Sequence, residues 1–276
     1  MSTPQALLRI PLRWVGKILG GALLYFTLVV TALVCVIGFR VLNRTRVLGA
    51  KNRGPRKHLL IVSNHQSLVD SFVVGMVIYF PWLFWRPNLA PSHLADARNF
   101  MTHPILRYVY QVLRVIPVGR NARGERRDSG AYATACGVLR NGGMLHVFIE
   151  GTRSIDQTLL PPKPQVGGLA FDTGATVRPI YITGLHAVHP YRKAPGDPPA
   201  TWWRRLFGAH TEWLLDLRAG HQIAVVIGED LTPDHICSLA GDGDHREQVT
   251  RLAEVIMEQI RKLKAKYEKS ATSVSS

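Results

Sequence analysis

Leu59-Leu60-Ile61-Val62-Ser63-Asn64-His65-Gln66-Ser67-Leu68-Val69-Asp70 is the stretch whose reading decides the fold. Its first four residues form a short unbroken apolar run, the pattern of a buried strand. Ser67 and Asp70 have the spacing of a capping box, S-x-x-[DE], ahead of the apolar run 72–80. A helix is therefore expected to start near Asp70. In one continuous helix, residues five apart would be turned by about 140° from a common face. His65 accordingly belongs to the turn and Asp70 to the first turn of the helix.

That placement suits base chemistry. Imidazole titrates near neutral pH, and a carboxylate on one ring nitrogen fixes the tautomer and stabilises the imidazolium. The competing reading is a helix-start carboxylate beside a loop histidine, in a chain with 11 histidines. A second polar cluster downstream favours the first reading. The strand expected over 144–149 leads into Glu150-Gly151-Thr152-Arg153-Ser154. Glycine lets backbone approach a ligand closely. Thr152, Ser154 and the forked guanidinium of Arg153 are natural donors to phosphate.

Working outward, strands and helices alternate. Residues 86–104 are polar and proline-bearing, and 104–113 reads as a helix. A short strand over 114–118 leads to Gly119-Arg120. Asp128 is placed to cap a helix ending at Asn141-Gly142-Gly143. A helix over 166–172 precedes a strand over 177–182, and 222–227 is a last strand. Val249, Leu252, Ile256, Ile260 and Leu263 repeat at helical spacing. The alternation predicts an α/β fold: a mostly parallel central sheet flanked by helices, with an N-terminal membrane helix. Residues 186–221 form a Pro-, Trp- and Arg-rich insertion that includes Trp202-Trp203-Arg204-Arg205, read as either a membrane contact or a packed helix.

Residues 18–39 contain no charged side chain over 22 positions. At 1.5 Å per residue they extend roughly 33 Å, enough to cross a bilayer core. The apolar part of a cleaved signal peptide is shorter and ends in a small-residue site that 36–40 lacks. Basic residues flank both ends and are denser after the segment, which predicts that the rest of the chain lies in the cytoplasm. The run from Arg40 to Lys57 is expected to meet anionic headgroups. The apolar run 72–85, interrupted by Pro81, is too short to span and reads as a core or interfacial helix. Three parts are expected: 1–45, a basic flank with the anchor helix; 46–268, one domain holding both polar clusters; and 269–276, a disordered tail.

Lys and Arg exceed Asp and Glu, 34 to 19, a net charge of +15 that calls for an anionic partner. The three cysteines are scattered, so neither a disulfide framework nor a zinc site is indicated. The chain lacks the G-x-S-x-G of serine hydrolases, the H-E-x-x-H of zinc hydrolases and the P-loop. His186-x-x-His189 is a proline-flanked pair rather than a metal signature.

His65 with Asp70, Arg120 after Ile-Pro-Val-Gly, Phe148-Ile149-Glu150-Gly151-Thr152-Arg153-Ser154 and Val177-Arg178-Pro179-Ile180 occur in that order. The set resembles the glycerolipid acyltransferase family, typified by 1-acylglycerol-3-phosphate acyltransferases, over roughly 58–184. The resemblance implies that His65 and Asp70 are catalytic, as the family's His-x4-Asp pair. It implies substrate binding by Arg120, Glu150, Gly151, Thr152 and Arg153. It also implies a membrane-bound enzyme moving a fatty acyl group from an acyl-CoA or acyl carrier protein thioester to the free hydroxyl of a lysophospholipid. Lysophosphatidic acid is the first expected acceptor, lyso-ornithine lipid an alternative. No cofactor, metal or nucleic acid is expected, and the location implied is the inner cell membrane. Two positions depart from the family pattern: Ile149 stands where proline is usual, and Gly119 where many members carry an acid. The non-enzymatic alternative is a basic, membrane-anchored protein binding lipid or nucleic acid. It accounts for the charge and leaves the motif order unexplained.

Overall fold

The computed structural model describes residues 12–82, 85–87, 90–97, 110–119, 129–189 and 218–275. Among these, seven strands form one sheet: β1 (Arg44–Leu48), β2 (Leu59–Ser63), β3 (Ser92–Asp96), β4 (Val115–Val118), β5 (Met144–Phe148), β6 (Thr176–Thr183) and β7 (Gln222–Ile227). Their order across the sheet is β1-β7-β6-β2-β5-β3-β4. The β6–β7 pair is antiparallel and the other adjacent pairs are parallel.

β2 lies between β6 and β5, and every one of its residues is buried. A strand covered on both faces must be apolar on both. Leu60 and Val62 join one apolar cluster, with side chains from α3 (Ser129–Arg140), α4 (Pro164–Thr173), α6 (Pro233–Ala240) and α7 (His245–Ser275). Leu59 and Ile61 join the other, with α1 (Leu12–Val36), α2 (Asp70–Tyr79) and the short α5 (Leu185–Val188). The result is a three-layer α/β arrangement with the sheet in the middle.

α1 continues through a π-helical turn, Ile37–Val41. Residues 20–41 are long and apolar enough to cross a membrane by length and composition. One stripe is committed to the domain: Leu28, Cys35 and Phe39 are buried in the cluster that contains Val69, Val73 and Val77. Leu23, Phe26, Val30, Leu33 and Ile37 are exposed apolar side chains.

The sheet begins at Arg44, so a boundary at residue 45 cuts through β1. Arg44 and Arg46 are exposed, as an edge strand allows, and their charge hides the strand from a hydropathy reading. β1 also divides the basic run. Arg44 pairs in register with Gln222, at the carboxyl edge of β6. Lys57 lies beside Gly142, at the opposite edge, and Arg56 pairs with Asp230 at 2.8 Å. The residues from Arg40 to Lys57 therefore do not make one headgroup-facing patch.

β3 and α6 are two further elements that the sequence reading lacks. The first is short and polar, and the second is an eight-residue helix capped by Thr232. The apolar run 72–85 resolves into a core helix ending at Tyr79, with Val73, Val74 and Val77 fully buried. The tail is also corrected. α7 runs through 269–275, because Ala, Ser and Thr offer no Gly or Pro to stop it. The Trp-rich part of the insertion, 201–207, lies outside the described residues.

Candidate active site

β2 and β5 are parallel neighbours, with Ser63 opposite Phe148. Both chains leave the sheet at the same level, so Asn64-His65 and Ile149-Glu150 emerge side by side. The carboxyl edge of a parallel sheet is where such folds place their ligands. Backbone bonds join the two turns. Ile149 N–H donates to the Ser63 carbonyl at 3.0 Å, and Ser154 N–H donates to the His65 carbonyl at 2.9 Å. On the other side, the Asn64 side-chain amide bonds the backbone of Ile182 in both directions, at 2.8 and 2.9 Å. The His65 turn is thus fixed from both flanking strands.

Asp70 is the first residue of α2, in the first turn as expected, but the N-cap is Val69 and not Ser67, so the helix starts two residues later than a capping box would place it. The box is half formed: the Asp70 carboxylate accepts Ser67 N–H at 3.0 Å, while Ser67 Oγ accepts Val69 N–H at 3.3 Å. The same carboxylate accepts Gln66 N–H at 2.6 Å and lies 2.8 Å from His65 Nδ1. A carboxylate only accepts, so His65 carries its proton on Nδ1 and its lone pair on Nε2. Asp70 is fully buried, and the His65 side chain is 15% exposed. The ring that would meet a substrate is within reach, and the group that orients it is sealed from water.

The His65 ring lies flat on Phe148, with centroids 3.6 Å apart and planes within 5°. His146 meets the edge of Phe148 at 4.8 Å. Ser63 Oγ donates to the Asn64 carbonyl, so His146 Nε2–H donates to Ser63 at 2.9 Å. Burial holds His146 and His93 neutral, His93 falling to about 4. The sequence reading passed over these residues because they lie in strands. The one available signal was a histidine inside the apolar run Met144-Leu145-His146-Val147-Phe148.

Glu150 is buried, and its Oε2 has no hydrogen-bond partner among the described residues. Burial raises its carboxyl to about 8; the N–H groups of His65 and Leu160 pull it down, and Asp70 adds a smaller push upward. Gly151 turns the chain at φ 67°, a left-handed conformation that favours glycine. Thr152 is exposed and Arg153 half-buried in that turn. Ser154 is not a phosphate donor here: its hydroxyl donates to Asp156 at 3.0 Å. Ile149 is fully buried against the α3/α4 side, and its bond to Ser63 is one proline could not make. Arg120 lies outside the described residues. Arg178, in the fourth motif, is structural. It grips Asp230 with two nitrogens, at 2.7 and 2.9 Å, and donates to the Gly54 carbonyl.

A family model described as Acyltransferase matches residues 23–183, more than half the chain. The chain belongs to the acyltransferase family. Over 131 residues, this family member is 27% identical to the 1-acyl-sn-glycerol-3-phosphate acyltransferases of Limnanthes douglasii and Limnanthes alba, covering 48% of its own length and 43% of theirs. A probable 1-acyl-sn-glycerol-3-phosphate acyltransferase of Mycoplasma genitalium is 25% identical over 130 residues, 47% of this chain and 46% of that one. The alignments thus span less than half of each curated relative. The crystal structure of the 1-acyl-sn-glycerophosphate acyltransferase of Thermotoga maritima superposes with a TM-score of 0.56 at 21% identity, covering 90% of this chain and 89% of that one. This acyltransferase-family chain therefore shares that protein's fold.

Proposed function

We propose that the protein transfers a fatty acyl group from an acyl thioester to the free hydroxyl of a lysophospholipid, with lysophosphatidic acid as acceptor and phosphatidic acid as product. The observation that carries this reading is the 2.8 Å bond from His65 to buried Asp70, beside the Glu150–Ser154 turn. Family membership and the names of the relatives support it.

His65 Nε2 takes the proton of the acceptor hydroxyl, and the oxygen attacks the thioester carbonyl. Asp70 stays ionised, holds the tautomer and stabilises the imidazolium, as the aspartate of a serine-protease triad does. The tetrahedral intermediate collapses by breaking the C–S bond. The thiolate takes the proton back from His65 and leaves as thiol, so base and acid are one residue. The hydroxyl of the acceptor is the nucleophile, and no side chain is acylated. Arg153 and Arg120 would grip the phosphate, and Glu150 and Gly151 would shape the turn around it. Thr152 would add a hydroxyl donor. The thioester is acyl-CoA or acyl carrier protein, both of which suit a chain of net charge +15. α1 would anchor the enzyme in the inner cell membrane, with the catalytic domain toward the cytoplasm.

The test offers purified protein one labelled acyl thioester and a panel of lysolipids. Preference for lysophosphatidic acid is expected. Preference for lyso-ornithine lipid or another zwitterionic acceptor would overturn the acceptor assignment. No thioester consumption with any lysolipid would overturn the activity itself.

A further inference from the structure

We infer that Phe148 is a positioning residue for His65, whose ring fixes the plane of the imidazole and raises its basicity. The inference rests on the reading of His65 as the base only for its effect on rate. The stack itself stands on geometry. Two planes within 5° at 3.6 Å block the imidazole from tilting toward Phe148 about its bond to Asp70 and favour the parallel setting. The face of an aromatic ring is negative, so an imidazolium lying over it is stabilised, more strongly where water is excluded. The face that covers His65 is itself held. His146 meets the Phe148 edge at 4.8 Å, and its Nε2–H is anchored on Ser63. Backbone pairing of β2 with β5 sets Ser63 and Phe148 side by side. The strand that supplies the Glu150–Ser154 turn thus also supplies the floor under the base.

Among the described residues, the ionisable groups tied to His65 are Asp70 on α2, His146 on β5, with His93 of β3 against His146, and Glu150 in the turn after β5. Changing Phe148 removes none of these groups, and of them His146 alone is shown in ring contact with it. A leucine in its place keeps apolar packing and removes the π face, which destabilises the imidazolium. The affinity of His65 for its proton must then fall.

The experiment follows His65 by histidine-selective carbon NMR in the full-length protein, beside the pH dependence of kcat/KM. In Phe148→Leu the titration midpoint of His65 is expected to fall by about 0.5–1 pH unit. The acidic limb of the rate profile moves the same way, and the plateau drops about tenfold, because the base is weaker and its plane less fixed. Phe148→Tyr keeps the face and should restore both. Phe148→Met serves as the second apolar variant where the leucine protein does not fold. An unchanged midpoint in the apolar variants overturns the inference, and so does a lower plateau with an unmoved limb, which is what mere disruption would give. The NMR midpoint requires no turnover: a shifted midpoint alongside a fully active His65→Ala protein would uphold the stack and refute the base.

Discussion

The backbone N–H of Ser154 donates to the carbonyl of His65 at 2.9 Å, tying the turn that follows β5 to the turn that follows β2. These two stretches lie almost 90 residues apart in sequence and form one structural unit at the edge of the sheet. The histidine of the first and the glutamate and arginine of the second are placed together by main-chain bonds.

Asp70 meets several donors at once, and this separates orientation from bulk. Asp70→Asn keeps the shape but turns one acceptor into a donor facing His65 Nδ1, Gln66 N–H and Ser67 N–H. Acyl transfer is expected to drop about 10²–10⁴-fold through the wrong tautomer. Stability should fall by about 1–3 kcal/mol from the unmatched buried donor. Steady-state kinetics and urea melts on one preparation check both.

Glu150 predicts a pH signature. Its folded-state pKa is raised to about 8 from 4.5. A raised carboxyl gives stability that is complete below the unfolded value, about 4.5, and is lost as pH rises through 8. The neutral Glu150→Gln protein lacks this loss. The stability difference, wild type minus variant, should therefore shift toward the variant between pH 5 and pH 9, by on the order of 2–4 kcal/mol. Chemical denaturation of both proteins at the two pH values reads it directly.

Gly167 is where α4 meets α7. A Cβ there would strike the carbonyl of Val249 and approach the nitrogen of Ala253 to 2.8 Å. Gly167→Ala should cost about 1–3 kcal/mol by forcing the helices apart. The urea midpoint falls with the slope unchanged. Because α7 covers the face of the sheet away from His65, kcat should hold at temperatures where the variant stays folded.

Much of this layout is legible in the sequence, for reasons that particular residues show. Leu59–Val62 is apolar at every position because it is buried on both faces, so hydropathy finds it. Asp70 is found near a helix start because an acidic residue ahead of an apolar run favours one, although Val69 and not Ser67 turns out to be the N-cap. β1 is missed because Arg44 and Arg46 point to solvent from an edge, and an edge strand need be apolar on only one side. Phe148 is visible as an apolar residue of a strand, but its contact with His65 depends on which strands are neighbours. Nothing local records that β5 lies beside β2. Ser154 looks like a phosphate donor by type, and only the fold shows its hydroxyl turned to Asp156. The closing helix outruns its apolar stripe because polar residues do not by themselves end a helix.

The most direct measurement is the rate of acyl transfer from a labelled thioester to lysophosphatidic acid by purified His65→Ala, compared with wild type at equal folded concentration. A loss of about 10²–10⁴-fold or more, with the variant's melting temperature preserved, is the expected result. A His65→Ala protein that transfers acyl groups at the wild-type rate would contradict the account at its centre.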